Sequence, residues 1–158
     1  MSPRWRRFGS FGVGTNARRL FASSPDRRSA SPRRDLTEDA RSRSILAARA
    51  AAAKSGADTL VLDVGPIIGI TEVFVITSGR NTRQVRTIAE EIEKKLKDEG
   101  HSGPVRTEGL RDATWVLLDY GDFVAHVFLE ETRGYYNLDR LWADAPRLAW
   151  EDSAAAVS

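Results

Sequence analysis

Two imidazoles, His101 and His126, are the side chains here best suited to moving a proton or holding a metal. Neither stands in a pattern that would use it. His126 sits inside the apolar run FVAHVF, with no serine or cysteine nucleophile placed by any signature. A lone histidine in such a run reads more simply as a packed, hydrogen-bonded residue than as a general base. His101 falls in the loop His101-Ser102-Gly103-Pro104, and the pair lacks the ligand spacing of a zinc site. The chain has no cysteine, so disulfides and thiolate metal centres are excluded, which fits a reducing compartment. Ser78-Gly79-Arg80-Asn81 lies where a strand should give way to a helix, a position that can hold phosphate. It lacks the GxxxxGK[ST] and GxGxxG patterns, however, and Asn81 is placed to cap the open amides itself. Arg80, Arg83 and Arg86 recur at helical spacing. They suit either phosphate contact or a solvated face on which Arg86 pairs with Glu90. No catalytic residue, cofactor site or metal site is expected.

The richest stretch runs from Trp115 to Trp142, WVLLDYGDFVAHVFLEETRGYYNLDRLW. Two apolar strands, Trp115–Asp119 and Asp122–Phe128, are joined by a tight turn placed at Tyr120-Gly121. That turn sets Asp119 opposite Asp122 and Trp115 opposite His126. Val116, Leu118, Phe123, Ala125 and Val127 then share a core face. Trp115, Leu117, Val124, His126 and the two aspartates share the other. Like charges directly opposite are unfavourable, so a cation is expected nearby. Two readings stand open: a docking face with an aromatic centre and an acidic rim, or a covered face whose acids are neutralised from within by Arg133 or another base. Leu141 and Trp142, near Tyr135 and Tyr136, either seal a sheet edge or add to an interface.

The elements that must position these groups follow from periodicity and punctuation. Thr37 is a candidate N-cap for a helix through the alanine-rich run Ile45–Lys54, which Gly56 would stop. Thr59–Val64 reads as a buried strand ended by Gly65-Pro66, and Thr71–Ser78 as a second strand. Asn81 with Gln84 starts an amphipathic helix whose apolar stripe is Val85, Ile88, Ala89, Ile92 and Leu96, closed by Gly100. A strand–helix–strand order of this length implies a parallel pair. Pro104–Glu108 fits a short edge strand. Glu130–Tyr136 and Leu138–Trp142 fit short helices, the second capped by Asn137. The fold class is α/β, a mixed sheet of about five strands flanked by helices.

Charge divides the chain. Residues 1–34 hold nine arginines against Asp26 alone, and the remainder holds fifteen bases against twenty-one acids, so a +8 head precedes a −6 body. The head has no sustained period and is expected to be disordered, whether as an organellar transit peptide, an RNA-touching arm or a dispensable extension. Residues 35–146 are expected to form one domain and 147–158 a flexible tail. No apolar run approaches the ~18 residues of a membrane span, and Arg18-Arg19 interrupt any secretory core. A soluble, intracellular protein is expected, with a basic partner for its body.

TEVFVITSGRNTRQV, followed by EGLRDATWVLLDYGDFVAHVFLEETRGYYNLDRLW and preceded by Leu62-Asp63-Val64, closely resembles the ribosomal silencing factor, or Iojap, family. The likeness spans roughly Thr37 to Pro146. Glu72 departs from it, because the family usually carries Asp after the threonine. The resemblance implies a fold distantly like that of nucleotidyltransferases, and no catalysis or cofactor. A transferase would need a Gly-Ser turn followed by paired metal-binding acids, and Ser78-Gly79 runs in the opposite order. The implied partner is the large ribosomal subunit, through its fourteenth ribosomal protein, where docking blocks small-subunit joining and silences translation in slow growth or starvation. Self-association when unbound is also implied. By position, the docking face would include Trp115, Tyr120, Asp122, His126, Glu130, Glu131 and Tyr136. The expected location is the cytoplasm. The alternative is a large-subunit assembly factor in a mitochondrion or plastid, with the head as its address.

Overall fold

The computed structural model describes residues 33–151, with side chains from residue 38 onward. Helix α1 (Arg33–Ala53) leads to strand β1 (Ala57–Asp63), a one-turn helix α2 (Gly65–Ile68) and β2 (Val73–Gly79). Helix α3 (Thr82–Asp98), β3 (Arg106–Glu108), β4 (Trp115–Asp119), β5 (Phe123–Leu129) and the short helices α4 (Glu130–Tyr136) and α5 (Leu138–Leu141) follow. The sheet order is β1-β2-β5-β4-β3. β2 and β5 are parallel, and every other neighbouring pair is antiparallel. The expected parallel pair therefore exists, but its crossover carries α3, β3 and β4 before β5 returns beside β2.

Both faces of the sheet are covered, which is why β2 is buried along its whole length. One face, with Val61, Val75, Val116, Leu118, Ala125 and Val127, packs on α1 and α3. The side chains of Ala47, Ala48 and Ala51 let α1 approach closely. The stripe read from α3, Val85 to Leu96, is buried as expected, and Asn81 Oδ1 accepts the Gln84 amide at 2.8 Å. The other face, with Leu62, Phe74, Ile76, Trp115, Leu117, Val124 and Phe128, lies under Ile68, Leu138, Trp142 and Ala145.

Four expectations change. α1 already runs at Arg33, so Thr37 is interior rather than its N-cap; no proline or glycine between Arg33 and Thr37 interrupts the helix. Of the head expected to be disordered, 1–32 lie outside the described residues and Arg33-Arg34 are helical. The hairpin register is shifted by two, pairing Trp115 with Phe128, Leu117 with His126 and Asp119 with Val124. The Tyr120 amide donates to Phe123 O at 2.9 Å, so the two-residue turn is Gly121-Asp122, with Gly121 at φ +92°. A glycine in the first central position is the signature of a type II′ turn, whose twist suits a hairpin. A shift of two preserves both faces, so the core assignment survives while Asp119 and Asp122 no longer oppose each other.

The tail expected from residue 147 begins instead as a strap along β1. Pro146 O accepts the Asp63 amide at 2.8 Å, the Leu148 amide donates to Val61 O at 2.7 Å, and Trp150 Nε1 donates to Thr59 O at 3.1 Å. The domain thus reaches at least Trp150, and residues 152–158 lie outside the described part.

Candidate docking surface

β4 and β5 carry Trp115 and His126 into the layer beneath α4 and α5, and both are 1% exposed. Trp115 packs on Phe128 and Tyr136, with ring centroids 4.5 and 4.9 Å away. Its Nε1 donates to His126 Nδ1 at 3.1 Å, which assigns the imidazole proton to Nε2. Phe74 meets the imidazole edge-on at 4.6 Å, and burial drives the His126 pKa down to about 3, so the ring is neutral. The expected aromatic centre of a docking face is therefore inside the monomer. In this conformation neither side chain offers surface to a partner, because one turn of α4 lays Tyr136 over the indole.

Tyr120 sits on the opposite face of the sheet, stacked on Phe123 at 4.7 Å, and burial pushes its phenol pKa up. Arg43 of α1 lies over both rings, 5.9 Å from the Tyr120 centroid and 5.3 Å from that of Phe123. Its Nη1 donates to both oxygens of Asp122, at 2.7 and 2.8 Å. The neutralising cation expected near the turn is thus Arg43 for Asp122, while Arg106 of β3 lies 3.6 Å from Asp119. Arg133 points elsewhere. Its Nε and Nη2 fork onto Asp139 at 3.2 and 2.8 Å, and its Nη1 reaches Ala57 O and Ser78 Oγ at 3.1 and 3.2 Å. This buried arginine ties α4 to α5 and to the ends of β1 and β2. The fork holds the Asp139 carboxyl below the usual range, against the upward push of its burial.

The chain matches the family model "Ribosomal silencing factor during starvation" over residues 37–158. It is 44% identical over 106 residues to the ribosomal silencing factor RsfS of Bacillus subtilis, covering 66% of this chain and 89% of that one. It belongs to the ribosomal silencing factor family. A crystal structure of a Chromobacterium violaceum protein superposes with a TM-score of 0.62 at 34% identity, covering 65% of this chain and 85% of that one. The mouse "Mitochondrial assembly of ribosomal large subunit protein 1" is 37% identical over 87 residues, 54% of this chain and 38% of that protein.

For a member of the ribosomal silencing factor family, the question is which of these groups a partner can reach. Glu130 and Glu131, in the first turn of α4, are exposed; Tyr136 is half-buried against Trp115. Tyr135, 76% exposed, meets Tyr136 edge-on at 4.9 Å, and Leu141 on α5 is 40% exposed. Of the seven residues expected to dock, Glu130, Glu131 and Tyr136 thus share one accessible helix, Asp122 is held by Arg43, and Trp115, Tyr120 and His126 are buried. Ile67 and Ile70, exposed at the α2 knuckle, were not singled out from sequence. Three isoleucines in a Gly/Pro-bounded turn were the available signal.

The arginine series divides too. Arg86 donates to Leu110 O at 3.2 Å and Arg111 O at 2.7 Å, tying a loop to α3 rather than pairing with Glu90, while Arg80 and Arg83 are exposed. Among the described residues no three His, Asp or Glu gather as a metal site, and no helix is long and apolar enough to cross a membrane.

Proposed function

We propose that this chain docks on the large ribosomal subunit, through its fourteenth ribosomal protein, and sterically prevents the small subunit from joining. Translation is thereby repressed in slow growth or starvation, in the cytoplasm, without catalysis or a cofactor. The observation that carries this reading is the acid–aromatic edge of α4. Glu130, Glu131 and Tyr135 project from a helix clamped by the buried Arg133–Asp139 fork, next to no reactive constellation. A rigid aromatic beside two carboxylates suits a basic protein surface: the charges steer encounter and the ring slows release. Family membership supports the ribosomal setting.

The test is co-sedimentation with large subunits alongside a subunit-joining assay. Glu130→Lys with Glu131→Lys, or Tyr135→Ala, should each weaken binding by about ten-fold, near 1.4 kcal/mol, and restore joining. Circular dichroism should match the parent, because these side chains are exposed. Undiminished binding by both variants would remove α4 from the interface, and unimpeded joining by the parent chain would end the proposal. Metal-dependent nucleotide turnover would point to an enzyme instead.

A second reading, a large-subunit assembly factor in a mitochondrion or plastid, draws support from the mouse relative and from the arginine-rich, acid-poor head. Recovery of mature chain lacking the head from an organelle would favour it.

A further inference from the structure

The outward edge of β1 is sealed by the chain's own C-terminal segment. In an antiparallel pair alternate residues turn both backbone groups to the same side, and on β1 the outward set is Thr59, Val61 and Asp63. Residues 146–150 bond to all three: the Thr59 carbonyl through the Trp150 indole, the Val61 carbonyl through the Leu148 amide, and the Asp63 amide through Pro146 O. Leu62 and Arg147 form the bridge between the two segments. The strap is anchored at its end, where Arg49 Nε of α1 donates to Trp150 O at 2.9 Å and Leu148 and Trp150 pack on the α1/α3 side of the core. The opposite edge, β3, needs no such cover: it is three residues long and follows Pro104 closely.

We propose that residues 146–150 are a guard strap that closes the β1 edge against antiparallel pairing with the same edge of a second copy of this chain. The edge is suited to that occupant. A two-fold pairing centred on Val61 places Thr59 against Asp63 and Leu60 against Leu62, so no like charges oppose and the aliphatic pairs are self-complementary. It would use the same three outward residues that the strap now satisfies. Strap and second copy are therefore mutually exclusive. The run Thr59-Leu60-Val61-Leu62 holds no proline, glycine or charge, the composition that makes an open edge adhesive. This surface lies apart from the α4 edge and does not depend on the docking proposal.

Two variants unlatch the strap: the chain ended after Ala145, and the full chain carrying Leu148→Pro with Trp150→Ala, which removes one amide donor and the indole. Sedimentation velocity over a wide concentration range should show either variant dimerising at least about ten-fold more tightly than the parent. Adding Val61→Pro deletes the outward-facing amide and also trims a buried core side chain, so it is read only in protein that still unfolds cooperatively, where it should return association to the parent's level. The proposal is overturned if a folded, unlatched variant associates no more tightly than the parent, or if its added association survives Val61→Pro in folded protein. It is overturned equally if both variants lose cooperative unfolding, since the strap would then be core rather than a removable cover. Capture of a different protein by a variant that does not self-associate would give the edge another occupant and reject this one.

Discussion

His126 shows how one buried atom sets a measurable property. The unfolded chain takes up a proton near pH 6.5, whereas the folded chain refuses it until about pH 3. Stability is thus fully present above pH 6.5 and is lost as pH falls below it, by up to about 1.4 kcal/mol per pH unit. Denaturant unfolding at pH 7 and pH 5 should show the parent losing on the order of 2 kcal/mol, and His126→Phe losing distinctly less. The variant carries its own pH-independent cost, because the Trp115 indole loses its acceptor. Equal losses in both proteins would mean that the imidazole is hydrated in the folded state. Trp115 itself now belongs to stability rather than docking. Trp115→Ala should cost about 3–5 kcal/mol in chemical denaturation, so weakened ribosome binding by that variant would report unfolding unless folding is checked first. Sequence pattern separated the two hairpin faces correctly but could not say which would be covered. The cover comes from Tyr136, Leu138 and Trp142, in short helices whose docking angle depends on the Arg133–Asp139 fork and not on strand periodicity.

At the scale of elements, the long periodic segments and the short β3, α4 and α5 were legible, whereas the hairpin register, α2 and the C-terminal strap were not. The stripe on α3, the apolar runs of β2, β4 and β5, and the span of α4 all follow from spacing that only one secondary structure satisfies. The hairpin register escaped because Asp119-Tyr120-Gly121-Asp122 permits glycine as either the first or the second turn residue. Placing it first puts its φ at +92° and lets Tyr120 stack on Phe123. That choice has a consequence. Gly121→Val should destabilise the domain by about 1–2 kcal/mol, the cost of a β-carbon in the left-handed region, although nothing lies within 4 Å of the space it would fill. Thermal unfolding measures it, and no change in melting would mean the turn relaxes to another type. The one-turn α2 and the strap escaped for a different reason: each is too short for a period, and each is held by backbone bonds that sequence does not announce, α2 to Glu72 O just before β2 and the strap to β1.

For the whole molecule, charge separates an arginine-rich head from an acidic body. The family model begins at residue 37, beyond the whole arginine-rich head of residues 1–34, so the matched body carries the resemblance without it. The proposed docking by the body rests on carboxylates meeting a basic protein, whereas any grip by the head would rest on arginines meeting phosphate. Salt weakens both attractions, but only the second releases counterions from a polyanion, with a slope of roughly 0.7–0.9 per phosphate neutralised. A chain lacking residues 1–32 should therefore still co-sediment with large subunits. If the head touches ribosomal RNA, the plot of log affinity against log salt should flatten for the truncated chain while its affinity at high salt matches the parent. An unchanged slope would assign the head no electrostatic part in binding. Loss of co-sedimentation by the folded, truncated chain would move the docking determinant out of the body, and the clamped edge of α4 with it.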